Sequence, residues 1–315
     1  MFKTFAAALA SVALANEAMF MQHVAEHNLS YGTRAEFDFR YNRFMEVDAV
    51  IAELNATETS VHGHNQFSTW TAAEYKRILG RKEGLNHFDL PAAPLENATC
   101  SSMDWREHGA VTAVKDQGQC GSCWTFSSTG AMEGMHFLAT GDLLSLSEQQ
   151  FVDCAGVRYG NFGCNGGLQQ RAFKYAQTHK IELESSYPYT ALDGDCAYDA
   201  SKGVVGVSSW TMVDANGNPD AMRAALCDRP LAVSIEADKY VFQTYKSGVL
   251  TSDKCGTTLD HAVLAVGFGT ENGQDYWLVK NSWNTTWGDN GYIKLGANNG
   301  AGICGVQSEP LYPVA

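Results

Sequence analysis

Positive charge is scarce in this chain. Its 315 residues carry 22 Lys and Arg against 35 Asp and Glu, a formal charge of −13. That balance excludes a nucleic-acid partner, which needs a basic surface. It suits a protein working in acid, where many carboxylates approach neutrality. Long apolar runs are also lacking: beyond Phe5 to Leu14 no stretch approaches the ~20 apolar residues of a membrane helix. Cys and His show no repeated pair spacing of the C-x-x-C with H-x-H type, so no metal or other cofactor is expected. A disordered composition is missing as well, since 45% of residues are hydrophobic and 11% aromatic. What is present is a globular chain long enough for about two domains.

Residues 1–15 read as a secretory signal, with Lys3 ahead of an apolar core and Ala13-Leu14-Ala15 as the cleavage site. The bland alternative is a buried N-terminal helix. From Asn16 to about Ala98 the chain is charged and helix-patterned, with Glu36, Arg40, Phe44, Ile51 and Asn55 on one face. The stretch from Pro91 to Thr99 has two prolines and no periodicity, which reads as a linker. Beyond it the texture divides. Cys123 to about Gln177 has helical periodicity, with a capping-box-like Ser147-Glu-Gln-Gln and a segment from Gly167 to Gln177. From Val204 onward come strand-like runs: Val204 to Trp210, Leu231 to Ile235, Ala262 to Phe268, Tyr276 to Val279 and Gly291 to Leu295. Sequons stand at Asn28, Asn55, Asn97 and Asn284, each a candidate for glycosylation.

The chemistry gathers around Gln117 to Trp124, Gln-Gly-Gln-Cys-Gly-Ser-Cys-Trp. Cys123 opens an apolar run to Leu138 that ends at Gly141. A thiol in the first turn of such a helix meets free N–H groups and the positive end of the dipole, which favour the thiolate. His261 can then handle the proton, and Asn281 can orient the imidazole through its side-chain carbonyl: nucleophile, base and orienter. Two other readings compete. Cys120-Gly-Ser-Cys123 is also a thioredoxin-like C-x-x-C frame, but that leaves His261, Asn281 and Gln117 idle. A catalytically dead binding homologue would be expected to have lost its nucleophile or base.

These motifs, in this order, resemble the papain-like cysteine peptidases and their cathepsin L-like branch. The resemblance implies an α+β, two-domain fold, with a helical left domain and an antiparallel β-barrel-like right domain, preceded by a helical propeptide. Residues 1–15 would be the signal, 16–98 the inhibitory propeptide and 99–315 the peptidase domain, which begins just before Met103-Asp104-Trp105-Arg106. Maturation cleavage is expected between Leu95 and Thr99. The helix face above resembles the family's interspersed propeptide motif, except that Val47 replaces its first Asn. Gly63, Asn65 and Phe67 match the second motif, while Thr69 stands where Asp is usual. The propeptide's tail should lie backwards through the cleft.

For the site, the resemblance implies a Cys123–His261 thiolate–imidazolium pair, with Asn281 holding the ring and Trp283 shielding that bond. Gln117 and the Cys123 N–H would form the oxyanion hole. Gly166 and Gly167 would pair with extended substrate, and Leu168, Gln169, Ser234, Leu259, Asp260 and Ala262 would complete the substrate-binding residues. Glu309, five places beyond Cys304, would floor the pocket for the second residue before the scissile bond. Relatives with a neutral residue there take apolar side chains, and relatives with Glu also admit Arg. Implied disulfides are Cys120–Cys164, Cys154–Cys196 and Cys255–Cys304; Cys100 and Cys227 either form a fourth bridge or stay free. No His-rich insertion resembles an occluding loop, so the expectation is a monomeric endopeptidase acting on proteins and peptides. It would be inhibited by its own propeptide and by cystatin-like proteins, in a lysosome, acidic vacuole or secreted space. A glycan at Asn284, where the family usually has Gly, would crowd the leaving-group side. The propeptide should be latent near neutral pH and converted in acid. Five of nine histidines lie in it: His23, His27, His62, His64 and His87. Their charging and carboxylate protonation pull in opposite directions, and unfolding is taken to win.

Overall fold

A computed structural model of the chain describes residues 2–82, 98–215 and 218–315, with side chains of the first helix from Leu14 onward. The side chains of the signal's apolar core, the cleavage window at residues 95–97, His87 and Asn97 lie outside the described residues. No described helix is long and apolar enough to cross a membrane.

The N-terminal region is helical: α1 (Phe2–Glu26), α2 (Arg34–Thr57) and α3 (Ala72–Arg77), with a two-residue strand β1 (Val61–His62) between the last two. Thr33 caps α2 by accepting the Glu36 N–H, and α2 buries Phe44, Val47, Ile51 and Leu54. Val47, the residue that departs from the family pattern, is fully buried. Thr71 and Glu74 form a reciprocal capping box on α3. Arg40 reaches from α2 to both Glu74 oxygens at 2.7 Å and to the Thr69 carbonyl at 2.9 Å. Residue 69 is met through its backbone, so Thr in place of Asp leaves this contact intact.

In the second region β2 (Met103–Asp104) precedes α4 (Cys123–Thr140), α5 (Glu148–Cys154) and α6 (Gln169–Ala176). Then follow β3 (Ser209–Met212), α7 (Pro219–Asp228), β4 (Leu231–Ile235), α8 (Tyr240–Gln243), β5 (Tyr245–Ser247) and β6 (Val249–Leu250). The chain ends with β7 (His261–Glu271), β8 (Gln274–Lys280), β9 (Tyr292–Gly296) and β10 (Leu311–Val314). The large sheet runs β3-β10-β4-β7-β8-β9-β6, with β2 added to β7. It is antiparallel apart from the β6–β9 pair.

Helix α4 is the spine of the left half. Gly141 ends it in the left-handed region, its N–H bonded to Phe137 O at 2.7 Å. Gly130 lets α4 press on β7, since a Cβ there would meet Leu264 at 2.8 Å. One apolar core surrounds α4, while the other joins the sheet to Leu54, Phe67, Tyr75 and Ile78 of the N-terminal region.

Several sequence expectations shift. Val204 to Trp210 is not a strand over its length: Val205 makes a single bridge to Ile181, and Val207 N bonds the Ala176 carbonyl. Burial of both valines explains the β-like pattern, and the true strand starts at Ser209. The Ser147 cap is one-sided: its Oγ accepts the Gln150 N–H, but the Gln150 side chain bonds Tyr175 and the Lys180 carbonyl instead. The helix expected from Gly167 starts at Gln169. Four disulfides are present: Cys100–Cys227, Cys120–Cys164, Cys154–Cys196 and Cys255–Cys304. They leave Cys123 as the free cysteine among the described residues.

Candidate active site

Cys123 is the first residue of α4, and His261 the first residue of β7, two elements packed directly on each other. Asn281 follows β8, the hairpin partner of β7, so strand pairing carries it beside His261. Asn281 Oδ1 lies 2.8 Å from His261 Nε2, which donates the proton. His261 Nδ1 is buried without a hydrogen-bond partner, which leaves its lone pair as the base. The Trp283 ring stacks on the imidazole, with centroids 4.6 Å apart and planes inclined by 23°. That apolar cover keeps water from the His261–Asn281 bond. Gln117 is fully buried, and its Oε1 accepts from Ser282 Oγ at 2.7 Å and Trp283 Nε1 at 3.1 Å. This fixes the amide so that Nε2 points outward as a donor.

The N-terminal region lies over this centre. Gln117 Nε2 donates to the Ile78 carbonyl at 2.8 Å, which occupies the donor that an oxyanion would use. The backbone N–H groups of Gly80 and Ala262 face the Cys123 sulfur. Gly80 is required in this path, because a Cβ would fall 1.8 Å from the Gly121 carbonyl oxygen. Gly167 N–H donates to Gly80 O at 2.8 Å, Lys82 N–H donates to Gly167 O at 3.3 Å, and Arg81 pairs with Gly167 in parallel. An amide N–H, not a carbonyl carbon, therefore confronts the thiol.

Electrostatics differ from the sequence expectation in this covered state. Burial pushes the Cys123 thiol up to about 12 and the His261 imidazole down to about 4, against the smaller pull of the Asn281 bond. The pair is thus thiol and neutral imidazole here. Desolvation under residues 78–80 outweighs the helix N-terminus.

Around the centre, Leu168, Gln169, Ser234 and Ala262 are all buried. Gln169 Nε2 donates to the Val233 carbonyl at 3.1 Å, and Ser234 pairs with Ala262 across β4 and β7. The Asp260 carbonyl accepts the Arg81 N–H at 3.0 Å, and burial lifts its carboxyl to about 7. Leu259 offers its carbonyl to Arg81 Nη1 at 3.1 Å. Glu309 accepts Arg81 Nη2 at 2.5 Å, and both side chains are largely buried. Asn284 is exposed with φ +62, a left-handed conformation that Asn tolerates better than other side chains. Asn28 and Asn55 are also exposed, and Asn55 spends its side chain on the backbone of His62. No group of three or more His, Cys, Asp or Glu residues among those described is placed to hold a metal.

Gly80 and Arg81 escaped the sequence reading, because nothing local marks them as cleft residues. A second unforeseen feature is a buried ionic cluster behind α4. Lys115 bonds Glu148 at 2.7 Å and approaches Glu133 at 3.5 Å, while Lys280 donates to Thr112.

The protein comparisons agree with this geometry. The family described as "Papain family cysteine protease" matches residues 99–314. The Aedes aegypti "Cathepsin L-like peptidase" is 51% identical over 300 residues, covering 92% of this chain and 83% of its own. "Digestive cysteine proteinase 1" of Homarus americanus is 46% identical over 289 residues, covering 87% and 88%. Digestive procathepsin L 3 of Tenebrio molitor larval midgut superposes with a TM-score of 0.85 at 36% identity, over 95% of this chain and 99% of that one. That structure is a proenzyme, and the helical layer over the cleft here is its counterpart. A free cysteine heading the spine helix, an imidazole held by an asparagine and a peptide lying across both thus have one shared origin: the chain belongs to the papain family of cysteine proteases.

Proposed function

We propose that the chain is the latent precursor of a monomeric endopeptidase that cleaves proteins and peptides through a thiolate–imidazolium pair. The observation that carries this reading is the conjunction of the free Cys123 at the start of α4 with His261 held by Asn281. Once residues 78–80 leave, water and the helix N-terminus stabilise the ion pair. Cys123 Sγ attacks the scissile carbonyl carbon, and the resulting oxyanion takes the Gln117 Nε2 and Cys123 N–H bonds. His261 gives its proton to the departing amine, leaving a thioester. The neutral imidazole next deprotonates a water, which attacks the thioester and releases the acid. Asn281 holds the ring throughout, and Trp283 keeps water off their bond.

Residues 16–98 are the inhibitory propeptide, removed by cleavage between 95 and 99 after residues 1–15 have directed the chain into the secretory route. An acidic vacuole, lysosome or secreted space is its destination, and cystatin-like inhibitors would compete for the same cleft. The test is incubation of acid-processed protein with a thiol-reactive peptide epoxide, followed by mass spectrometry. Labelling is expected at Cys123 alone in processed protein and at no cysteine in the proenzyme. Labelling at both Cys120 and Cys123 would favour a redox protein instead.

Gly166 and Gly167 form the rung for extended substrate, and Glu309, with Leu168, Gln169, Ser234, Leu259, Asp260 and Ala262, sets the second position before the scissile bond. The Arg81 guanidinium lying on Glu309 supports acceptance of Arg there beside apolar residues. A charge-assisted pair adds about 1.5–3 kcal/mol, or roughly 10–100-fold, and desolvation of both ions favours the lower end. The Arg-to-Phe ratio of kcat/KM at that position is expected to be high in the wild type, and Glu309→Ala should lower it. A ratio that the substitution leaves unmoved would exclude Glu309 from the pocket.

A further inference from the structure

The sequon Asn284-Thr285-Thr286 has no part in the chemistry above, yet it stands at the cleft. Residues 115–117 and 282–284 pair antiparallel. The Gln117 N–H donates to the Ser282 carbonyl at 2.9 Å, Asp116 bridges Trp283, and the Asn284 N–H donates to the Lys115 carbonyl at 3.1 Å. Asn284 is thereby fixed directly after Trp283, whose ring stacks on His261, and opposite the segment that carries Gln117. Trp283 and Trp287 are buried, while residues 284–286 between them are exposed. The side-chain amide is turned outward. Its Oδ1 accepts the Thr285 N–H at 2.6 Å, and its Nδ2 faces the exposed Asp116 at 3.5 Å. Glycosylation takes one of the two Nδ2 hydrogens, so neither contact is lost. Gln66 of the N-terminal region meets this loop elsewhere, at the Trp283 carbonyl and Thr286 Oγ1, and does not compete for Nδ2.

Resting on the reading of the chain as a secreted peptidase, we propose that Asn284 is a modification site: it carries an N-linked glycan that screens the leaving-group half of the cleft. In the secretory route Asn284 Nδ2 attacks C1 of a lipid-diphosphate-linked oligosaccharide. The N–C bond forms as the C–O bond to the diphosphate breaks, the lipid diphosphate departs and one amide proton passes to a base. Residues 80–82 lie along Gly167 on one side of Cys123, while Gln66, Phe67 and Tyr75 cover Trp283 on the other. A substrate whose residues before the scissile bond take the Gly167 rung sends the rest of its chain past Trp283 and Asn284. A glycan is bulky and hydrated, and it stands at that exit. Substrates with little beyond the scissile bond pass it freely. Long ones must order its first sugars, and an ordering cost of that kind lowers kcat/KM about twofold to tenfold.

The test expresses the full chain in secreting eukaryotic cells, converts it in acid and maps occupied sequons by glycosidase release and mass spectrometry. kcat/KM is then measured for a dipeptidyl fluorogenic amide with a small leaving group and for a quenched peptide that extends several residues beyond the scissile bond. Wild type is compared with Asn284→Gly, Thr286→Ala and Thr286→Ser. The first two destroy the sequon and the third preserves it, and Gly suits the φ of +62 at position 284. A glycan on Asn284 is expected in wild type and in Thr286→Ser. The long-to-short ratio is expected to be about twofold to tenfold higher in Asn284→Gly and Thr286→Ala. A bare Asn284 beside an occupied Asn28 overturns this inference alone. So does an occupied Asn284 whose loss leaves the ratio unchanged. A ratio that rises in Asn284→Gly but not in Thr286→Ala assigns the screening to the asparagine side chain and also overturns it. Absence of glycan at every sequon removes the secretory reading together with the site. Absence of hydrolysis of both substrates removes the peptidase reading and the screened cleft with it.

Discussion

Cys123→Ala is expected to abolish peptide hydrolysis and to leave a folded, secreted proenzyme that acid no longer converts by its own action. Loss of the nucleophile in an enzyme using an activated side chain costs on the order of 10⁶ in kcat. The fold should tolerate the change, because Ala suits a first helical turn and Cys123 bridges to no other residue. What is lost is one buried sulfur and the N–H contacts of Gly80 and Ala262 to it. The His261–Asn281 bond and the Gln117 anchors do not involve the thiol, so the surroundings persist. Hydrolysis of a dipeptidyl substrate and circular dichroism of the purified protein check both halves. A tenth of wild-type activity in the variant would sink Cys123 as the nucleophile.

Conversion of the proenzyme is expected to be faster at pH 4.5 than at pH 7.5, with buried histidines supplying the drive. His23 packs at 4.5 Å from His27, 4.9 Å from Phe44 and 5.9 Å from His64. Burial holds His23 at about 3 and lowers His27, His62 and His64 below the usual imidazole range. Glu26 and Asp48 oppose this for His27 and His64, as Glu58 does for His62, while Lys246 of the peptidase domain reinforces it for His27 and His64. A group whose folded pKa lies below its unfolded value of 6.5 binds fewer protons when folded. For these bases, the folded propeptide is therefore stable above pH 6.5 and loses stability as pH falls toward the folded value. His23 alone removes roughly 2 kcal/mol by pH 4.5 once solvent screening is allowed for, about 30-fold in the open population. The Arg40–Glu74 pair works lower down: Glu74 is held at about 2, mainly by the Arg40 hydrogen bond, so its contribution fades only below about pH 4.5. Asp260 acts the other way, since burial raises it to about 7 and protonation favours the covered state. The four histidines and that one carboxyl pull in opposite directions, and the rate ratio between the two pH values reads the balance. His23→Gln should shrink the pH 4.5 to pH 7.5 rate ratio, and the urea midpoint of the Cys123→Ala proenzyme should fall between pH 6.5 and 4.5. Equal conversion rates at the two pH values refute the acid trigger.

Much of this molecule was legible because its chemistry is written in short motifs. Cys123 announces itself by an apolar run closed by Gly141, and β4, β7, β8 and β9 by β-branched and aromatic runs. Helix α7 went unread although Asn218-Pro219-Asp220 caps it, with the Asn218 side chain accepting the Asp220 N–H. Strand β10 was also missed: with Pro313 inside it and Glu309-Pro310 before it, its pattern is broken. The cleft contacts of the propeptide were beyond local reading for a different reason. Arg81 and Glu309 are 228 positions apart, and neither carries a local sign of the other. The buried Glu133, Glu148 and Lys280 and the half-buried Lys115 each look like surface charges until the tertiary fold encloses them.

The aromatic seam where Phe67 and Tyr75 meet Trp283 ties the N-terminal region to the right-hand core. Phe67 lies 5.1 Å and Tyr75 5.6 Å from the Trp283 ring, and Asn65 and Tyr75 also bond the carbonyls of Gln243 and Ala237. Strand β1 adds its edge to β5 beside them. The right-hand core is thus completed by residues of the N-terminal region. Removal of that segment in the proposed maturation would bare the Trp283 face and the β5 edge, so the processed enzyme is expected to unfold at lower urea than the proenzyme.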